Sequence, residues 1–163
     1  TMITDDVHTQ YLQKAISLAV KSVHEGGGPF GAVIVREGKI IAEAWNQVTL
    51  NHDPSAHAEV AAIRKAGIAL GYPHIKDCIL YSSCEPCPMC LAATMWARIP
   101  KVFFAASHDE AARAGFADTH IAEQLYGQPR PVALEKGFLT QVNVASATLP
   151  FDTWLARADR VEY

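Results

Sequence analysis

The chain has 163 residues, of which 50% are hydrophobic and 19% are charged. This composition is typical of one folded domain with a sizeable core. The formal net charge is −3 and no run of Lys or Arg stands out, so we expect a small, neutral or weakly charged substrate rather than a nucleic acid. No stretch approaches the roughly 20 apolar residues of a membrane span, and nothing resembles a signal peptide. We therefore expect a cytoplasmic protein without a membrane partner.

The N-terminal part of the chain predicts a helix followed by a β-hairpin. Residues 1–5 resemble the leader of a β-galactosidase expression vector and are left out of the fold prediction as a cloning remnant. Apolar side chains recur at helical spacing over 6–24, and the Gly-rich segment 26–29 ends that helix. Two apolar runs, 32–35 and 40–44, are joined by a Glu-Gly-Lys turn, which predicts a hairpin.

The rest of the chain alternates helical and strand-like stretches. After an initial hairpin, this alternation predicts a mixed sheet covered on both faces, a three-layer α/β/α sandwich. No repeat or linker divides the chain, so a single domain over 1–163 is predicted. The predicted elements are a polar loop over 46–55, a helix over 56–70, a strand around 79–81, a helix from Pro86, a strand over 102–105, one or two helices within 109–126, a loop over 128–131, a strand over 141–145 and a helix from Pro150.

Four cysteines, Cys78, Cys84, Cys87 and Cys90, allow either disulfides or a metal site. In a chain without a secretion signal, cysteines spaced three apart more often bind a metal ion than form two disulfides. We interpret Cys84 as a buried strand-end residue near the site and Cys78 as a small hydrophobic side chain.

Two segments, residues 57–59 and 84–90, carry the chemistry. Cys87 and Cys90 lie three apart among prolines that suit the first turn of a helix, so both sulfurs project from one face and can reach one ion. His57 opens the other helix and can supply a third ligand. One imidazole and two thiolates suit zinc. Three protein ligands leave the fourth tetrahedral position for water, as in catalytic sites.

Glu59 follows His57 by two positions, so its carboxylate can face the open position without being a ligand. Zinc lowers the pKa of a bound water to roughly 7, and a carboxylate beside it can pass the proton to a substrate. The order H-x-E, then P-C-x-x-C, matches the signature of zinc nucleobase deaminases. Each half alone is a weak signal, whereas both in this order, each opening a helix, indicate a deaminase.

Three other interpretations use the same residues. A structural zinc site would take Cys84 as a fourth ligand, and a non-catalytic zinc protein would use the fold only for binding. Both leave Glu59 without a role. A thioredoxin-like cysteine pair leaves residues 57–59 unexplained.

Beyond these residues, the chain resembles the cytidine-deaminase superfamily, and within it the bacterial guanine deaminases. The likeness covers nearly the whole chain. Segments 27–35, 53–60 and 83–91 are shared with relatives that act on cytosine, on guanosine and on adenosine in tRNA, whereas 114–118 and 162–163 point to guanine.

The resemblance implies a fold, a cofactor and a reaction. The fold would be a five-stranded mixed sheet between helices, with one Zn²⁺ per chain at the start of two of them. The reaction would be hydrolysis of guanine to xanthine and ammonia, in which Glu59 protonates a ring nitrogen and then the departing amine.

The resemblance also implies contacts to the base. Asn46 matches a residue that hydrogen-bonds the purine, Phe30 one that packs against it, and the backbone amide of Ala58 one that meets a ring acceptor. Asp118 matches an acid that assists proton transfer to the leaving amine, and Tyr163 a C-terminal residue that closes the pocket. Without the resemblance, Asn46 is a turn residue, Asp118 a helix cap and Phe30 part of the core.

Other features of the chain bear on its assembly and its site. The family often has two acids after Gly-Phe, but here Ala117 precedes Asp118. The resemblance implies a homodimer in which the C-terminal segment is exchanged between protomers, so that Asp118 and Tyr163 serve the partner's site. Trp96, on the helix of Cys87, is interpreted as either core or pocket wall. The remaining histidines show no partner pattern and are interpreted as ordinary surface or core groups.

Other substrates would use the same chemistry. Guanosine, cytosine and adenosine in tRNA are the alternatives to guanine. The tRNA substrate would require a basic face for the phosphates, which this composition does not supply. Room for a ribose depends on how the C-terminus folds over the pocket.

Overall fold

A five-stranded sheet forms the centre of the computed structural model, which describes residues 2–163, with side chains from residue 7 onward. The strands are β1 (Gly31–Arg36), β2 (Lys39–Trp45), β3 (Cys78–Cys84), β4 (Lys101–Ala106) and β5 (Leu139–Gln141). Their order in the sheet is β2-β1-β3-β4-β5. Strand β1 is antiparallel to both of its neighbours, whereas β3, β4 and β5 run parallel. The predicted five-stranded mixed sheet is confirmed.

Helices cover both faces of this sheet. In the described chain they are α1 (Met2–His24), α2 (Val48–Asn51), α3 (Ala58–Leu70), α4 (Pro88–Trp96), α5 (His108–Arg113), α6 (Thr119–Tyr126) and α7 (Leu149–Leu155). Helices α3 and α4 share one hydrophobic cluster with the sheet, and α1 packs on the opposite face. On α3, Ala58, Ala62 and Ala66 are fully buried at a spacing of four residues, which lets the helix lie close to the strands. The predicted α/β/α layering is confirmed.

The strands bury side chains on both faces because helices cover both. On β1, Ile34 joins the cluster under α3 and α4, whereas Val33 and Val35 join the cluster under α1. The turn into β2 has Glu37 at φ 51° and Gly38 at φ 76°. Left-handed residues of this kind are what a tight hairpin requires, and the predicted hairpin is confirmed.

The direction of the strands brings the starts of α3 and α4 to the same edge of the sheet. Strands β2 and β3 are parallel to each other because both are antiparallel to β1, which lies between them. Helix α3 therefore begins beyond the carboxyl end of β2, and α4 begins beyond the carboxyl end of β3. In open α/β sheets, ligands bind in the crevice outside the carboxyl ends of the strands.

The last strand lies earlier in the chain than predicted. The prediction of a strand over 141–145 was wrong, because only Gln141 of that range belongs to β5. The Val142 amide still donates to the Phe104 carbonyl at 2.9 Å, and Val144 is buried against the α1 side of the sheet. Their apolar alternation reflects packing on the sheet and not continued strand pairing.

Smaller differences concern the boundaries of helices. The polar loop predicted over 46–55 contains the short helix α2. The helices predicted from 56 and from Pro86 begin at residues 58 and 88. Helix α1 begins at Met2, whereas Thr1 lies outside the described residues, so the cloning remnant over 1–5 stays a prediction. Within residues 2–163, no helix combines the length and the apolar character needed to cross a membrane.

Candidate active site

His57 and Cys87 each stand directly before a helix, at the same edge of the sheet. His57 is the N-cap of α3 and Cys87 the N-cap of α4, both with extended backbone. N-cap side chains commonly accept a hydrogen bond from their own helix, but neither of these does so. Both side chains therefore remain available to a ligand between the two helices, and Cys90 lies one turn further along α4.

The three predicted zinc ligands lie together. Nδ1 of His57 is 3.5 Å from Sγ of Cys87 and 3.5 Å from Sγ of Cys90, and the three ligand atoms all lie within 4.8 Å of one another. Tetrahedral zinc, with Zn–S bonds of about 2.3 Å and Zn–N bonds of about 2.0–2.1 Å, places its nitrogen and sulfur ligands about 3.5 Å apart. The spacing and the chemistry of these donors fit zinc.

Cys84 does not join this ligand set. It is the last residue of β3, and its Sγ lies 3.8 Å from the Ser107 carbonyl oxygen. Burial raises the pKa of this thiol well above its ordinary value, and its sulfur lies outside the group formed by His57, Cys87 and Cys90. All four cysteines, which lie in the described part of the chain, are free thiols. Disulfide pairing is therefore excluded, and the strand-end interpretation of Cys84 is confirmed.

The ligands influence one another's ionisation. The hydrogen bond with Cys90, opposed by burial and aided by His57, lowers the pKa of Cys87 to about 4. The neighbouring Cys87 and burial raise the pKa of Cys90. Burial disfavours charge on His57, but the hydrogen bond with Cys87 and the charge of Glu59 outweigh it and raise the pKa of the imidazole. Cys87 is therefore the first of the two thiols to lose its proton. Cys90 becomes a thiolate when a bound cation offsets the second negative charge.

Glu59 lies in the first turn of α3, beside the ligands but outside the ligand group. Its side chain is buried, with 6% of the residue exposed. Burial, together with the negative charge of Cys87, raises the pKa of Glu59 to about 7. A carboxyl group with a pKa near the working pH can take up a proton in one step and release it in another.

A cavity of about 410 Å³ opens beside these groups, within the roughly 300–1,000 Å³ usual for small-molecule sites. Two of the ligands and four of the other predicted site residues contribute to its lining: His57, Cys87, Glu59, Phe30, Asp118 and Tyr163. The structure therefore brings together side chains that are up to 133 positions apart (163 minus 30) in the chain.

Aromatic rings form one wall of this cavity. Phe30 and Phe116 meet edge to face with ring centroids 5.0 Å apart, and Phe116 lies 5.3 Å from the ring of Tyr163. Trp154 supports the same group, at 5.3 Å from Phe116 and 6.3 Å from Tyr163. The C-terminal residue thus lies at the cavity of its own chain. Phe116 was named in the sequence only as part of a family segment, and its place in this wall was not predicted.

Asn46 and Ala58 lie next to the cavity and not in its lining. Asn46 is buried, and its Oδ1 accepts the Val48 amide at 3.1 Å, but its Nδ2 has no hydrogen-bond partner. An unpaired buried donor costs about 1–3 kcal/mol, which a ligand acceptor would offset. Ala58 is the first residue of α3, so its amide lacks a partner within the helix.

The sequence left two roles open for each of two residues: Asp118 as helix cap or site acid, and Trp96 as core or pocket wall. Asp118 occupies the N-cap position of α6, yet its side chain makes no capping hydrogen bond and contributes to the cavity lining. Trp96 is 73% exposed at the end of α4. Its interpretation as core or pocket wall was wrong, because Trp96 lies on the solvent-facing side of α4, with Arg98 beside the indole, whereas the next residue, Ala97, is buried in the core cluster.

A buried carboxylate beside the cavity was not predicted. Glu85 accepts the His108 backbone amide at 3.1 Å and two hydrogen bonds from the Arg130 guanidinium, each at 3.3 Å. Nε2 of His108 lies 3.6 Å from the same carboxylate, and both Glu85 and His108 line the cavity. Sequence gave no sign of this cluster because its members are far apart and follow no spacing rule. His108 is therefore part of a partnered cluster, and among the described residues it does not belong to the metal-ligand group, as expected for the remaining histidines.

Comparisons with known proteins match this arrangement. The model of the cytidine and deoxycytidylate deaminase zinc-binding region matches residues 5–106. The chain is 49% identical over 157 residues to guanine deaminase of Bacillus subtilis (strain 168), covering 96% of this chain and 99% of that protein. It is 43% identical over 96 residues to the tRNA-specific adenosine deaminase of Aquifex aeolicus, covering 59% and 64% of the two chains.

A solved structure shows the same fold over nearly the whole chain. The X-ray structure of guanine deaminase from Bacillus subtilis superposes with a TM-score of 0.70 at 47% identity, covering 94% of this chain and 97% of that one. The family match spans both segments that hold the histidine and the cysteines. The chain therefore belongs to the cytidine and deoxycytidylate deaminase family of zinc-binding proteins.

Proposed function

We propose that this chain hydrolyses guanine to xanthine and ammonia, with one zinc ion held by His57, Cys87 and Cys90. The observation that carries the proposal is the buried carboxyl group of Glu59, which lies beside these three donors in the lining of a cavity. The likeness to a guanine deaminase over nearly the full length of both chains supports guanine as the substrate.

The protein supplies the zinc with three fixed donors. When bound there, zinc acts as a Lewis acid that lowers the pKa of a water in its fourth position to about 7. His57 and Cys87 are the N-cap residues of α3 and α4, so the helix that follows each residue fixes its backbone. The imidazole and the thiol are therefore held in place. Such fixed donors need no rearrangement during the reaction.

Glu59 moves the protons of the hydrolysis. Its carboxylate takes a proton from the attacking water and delivers it to the ring nitrogen beside C2, while the new C–O bond forms. It then delivers the second proton of the water to the amino group, so that the C–N bond breaks and ammonia leaves. The carbon retains the oxygen as the carbonyl of xanthine, and guanine plus water accounts for both products.

Three further residues are proposed to hold the base, and a fourth to assist the proton transfer. The unpaired Nδ2 of Asn46 is a donor for a purine acceptor, and the free amide of Ala58 at the start of α3 is a second donor. The ring of Phe30 offers an apolar face for the base. Asp118, across the cavity lining, assists proton transfer to the leaving amine.

The alternatives to guanine are less well supported. The relative that acts on tRNA matches only 59% of this chain, and the net charge of −3 offers little attraction to phosphates. Guanosine would need room for a ribose, whereas Tyr163 packs against Phe116 at the edge of the cavity. We therefore propose a free base as substrate and no nucleic-acid partner.

A homodimer in the cytoplasm is proposed as the working form. Helices α4 and α6 contact each other and carry exposed apolar side chains, Met95 and Trp96 on α4 and Ile121 on α6, which association would cover. Exchange of the C-terminal segment between protomers stays a prediction. In an exchanged dimer, the segment of one protomer would occupy on its partner the place that it takes here on its own chain.

Zinc content tests the ligand assignment. We expect about one zinc per chain in protein purified without chelator, and its loss in Cys87→Ala and Cys90→Ala, because thiolates dominate the affinity of this donor set. Metal analysis by mass spectrometry measures it. Cys84→Ser is the matched control and should keep zinc. Loss of zinc from the control as well would mean that Cys84 is a fourth ligand and the site structural.

The proton-transfer role is tested by Glu59→Gln. This variant should keep its zinc, because Glu59 is not a ligand, yet lose about 10²–10⁴-fold in kcat, the usual contribution of a general acid–base group. Ammonia release and zinc content are measured on the same preparation. Turnover within tenfold of the parent would assign the proton transfers to another residue.

The substrate is tested with a panel of bases and nucleosides. Ammonia release should be fastest with guanine and much slower with guanosine, cytosine and adenosine. The packing of Tyr163 on Phe116 in the cavity lining leaves less room for a ribose, and cytosine lacks the purine ring system. A preference for guanosine over guanine would overturn the free-base proposal, although it would leave the zinc deaminase assignment in place.

A further inference from the structure

The terminal tyrosine lies directly against a glycine of the loop before β1. We infer that Gly28 is a specificity-determining position: its bare α-carbon makes the niche in which the phenol of Tyr163 docks to close the cavity. This inference rests on the proposed function for its effect on guanine turnover. The docking itself rests on contacts of the described residues.

The geometry at Gly28 leaves no room for a side chain. A Cβ built on Gly28 would overlap sterically with the hydroxyl oxygen of Tyr163, and would lie 2.7 Å from its Cζ and 2.9 Å from its Cε1. Real Cβ atoms essentially never approach other atoms so closely. These three tyrosine atoms are its nearest neighbours, so a methyl group at this position competes with Tyr163 before any other part of the protein.

A side chain on either of the neighbouring glycines, Gly27 and Gly31, would clash with other parts of the protein and not with Tyr163. A Cβ on Gly27 would clash with the Asn46 carbonyl and the Ser22 hydroxyl, and a Cβ on Gly31 would clash with the backbone of α1 at Ala15. Those two glycines serve the fold. Gly28 does not have a positive φ, so an alanine there would not strain the backbone. The need for glycine at this position therefore comes from Tyr163.

The loop at Gly28 cannot easily move away from the tyrosine. The Gly28 carbonyl accepts two hydrogen bonds, from the Ser22 hydroxyl at 2.6 Å and from the Phe30 amide at 2.9 Å. The Gly27 amide donates to the Ser22 carbonyl at 2.8 Å. These bonds tie the loop to the end of α1, which is part of the core.

The C-terminal segment is held more weakly than the loop. Beyond α7 it has no regular structure, and its polar contacts are local apart from a hydrogen bond from the Arg157 guanidinium to the Val23 carbonyl. The Tyr163 ring itself packs on Phe116 and Trp154. An added methyl group at Gly28 is therefore expected to displace Tyr163 and not the loop.

Displacement of the ring would open the cavity. The Tyr163 ring lies between Gly28 and Phe116 in the cavity lining, while 42% of the residue stays exposed. Partial burial raises the pKa of its phenol, with a further contribution from the charge of Glu59. Without it, water reaches the catalytic carboxyl group and the base loses part of its enclosure. We expect slower guanine turnover and easier entry of a base that carries a sugar.

The test compares Gly28→Ala, the chain without Tyr163, and the combination of the two. In Gly28→Ala, hydrogen exchange of residues 156–163 should accelerate, and guanine kcat/KM should fall between about tenfold and a hundredfold, the scale of a small misplacement of reacting groups. Removing Tyr163 should cost the same factor, and the combination no more than either change alone. Guanosine kcat/KM relative to guanine should rise in all three. Gly67→Ala is the control, because its Cβ would meet only an ordinary contact at 3.7 Å.

Two results would overturn the inference. The first is unchanged exchange and turnover in Gly28→Ala. The second is a loss that multiplies in the combined variant, or a lower zinc content or Tm than the chain without Tyr163 has, since Gly28 would then serve the fold. If the unmodified protein does not deaminate guanine, the proposed function fails, but the exchange measurement still decides whether Gly28 holds Tyr163.

Discussion

The site depends on one structural constraint: helices α3 and α4 begin next to each other at the same edge of the sheet. Because β2 and β3 are parallel across β1, α3 and α4 both begin outside their carboxyl ends. Their N-cap residues, His57 and Cys87, then approach to 3.5 Å between Nδ1 and Sγ. No flexible loop is needed to hold these donors, since each is fixed by the helix that follows it. Such rigid placement on secondary structure is what a precise catalytic geometry requires.

The same edge also gathers the residues that surround a substrate. Phe30 precedes β1, Asn46 follows β2, and Glu85 follows β3. Phe30 and Glu85 line the cavity, and Asn46 accepts a hydrogen bond from the amide of Val48, which also lines it. Phe116, Asp118 and the terminal Tyr163 come from the less regular C-terminal part. The chemistry therefore rests on rigid elements, whereas the cover of the cavity rests on a segment that one added methyl group is expected to displace.

Local spacing made the metal site predictable from the sequence, and long-range packing made other parts unpredictable. Cys87 and Cys90 lie one helical turn apart, so their common target follows from helix geometry alone. The contact of Glu85 with Arg130 joins positions 45 apart, and no periodic pattern in the sequence indicates it. Trp96 was misplaced because a large apolar side chain on a buried helix usually faces the core, whereas here it lies on the solvent-facing side of α4. A role for Asp118 was predicted only from the family resemblance, since a single acid before a helix ordinarily indicates a cap.

The central claim is that three protein donors leave one zinc position open beside Glu59. X-ray absorption at the zinc edge on the purified protein tests it directly, because the scattering distances count the sulfur ligands. The account predicts two sulfurs at about 2.3 Å and two lighter ligands at about 2.0–2.1 Å, one from His57 and one from solvent. A shell of three sulfurs would place Cys84 in the ligand set, fill the open position and contradict the account.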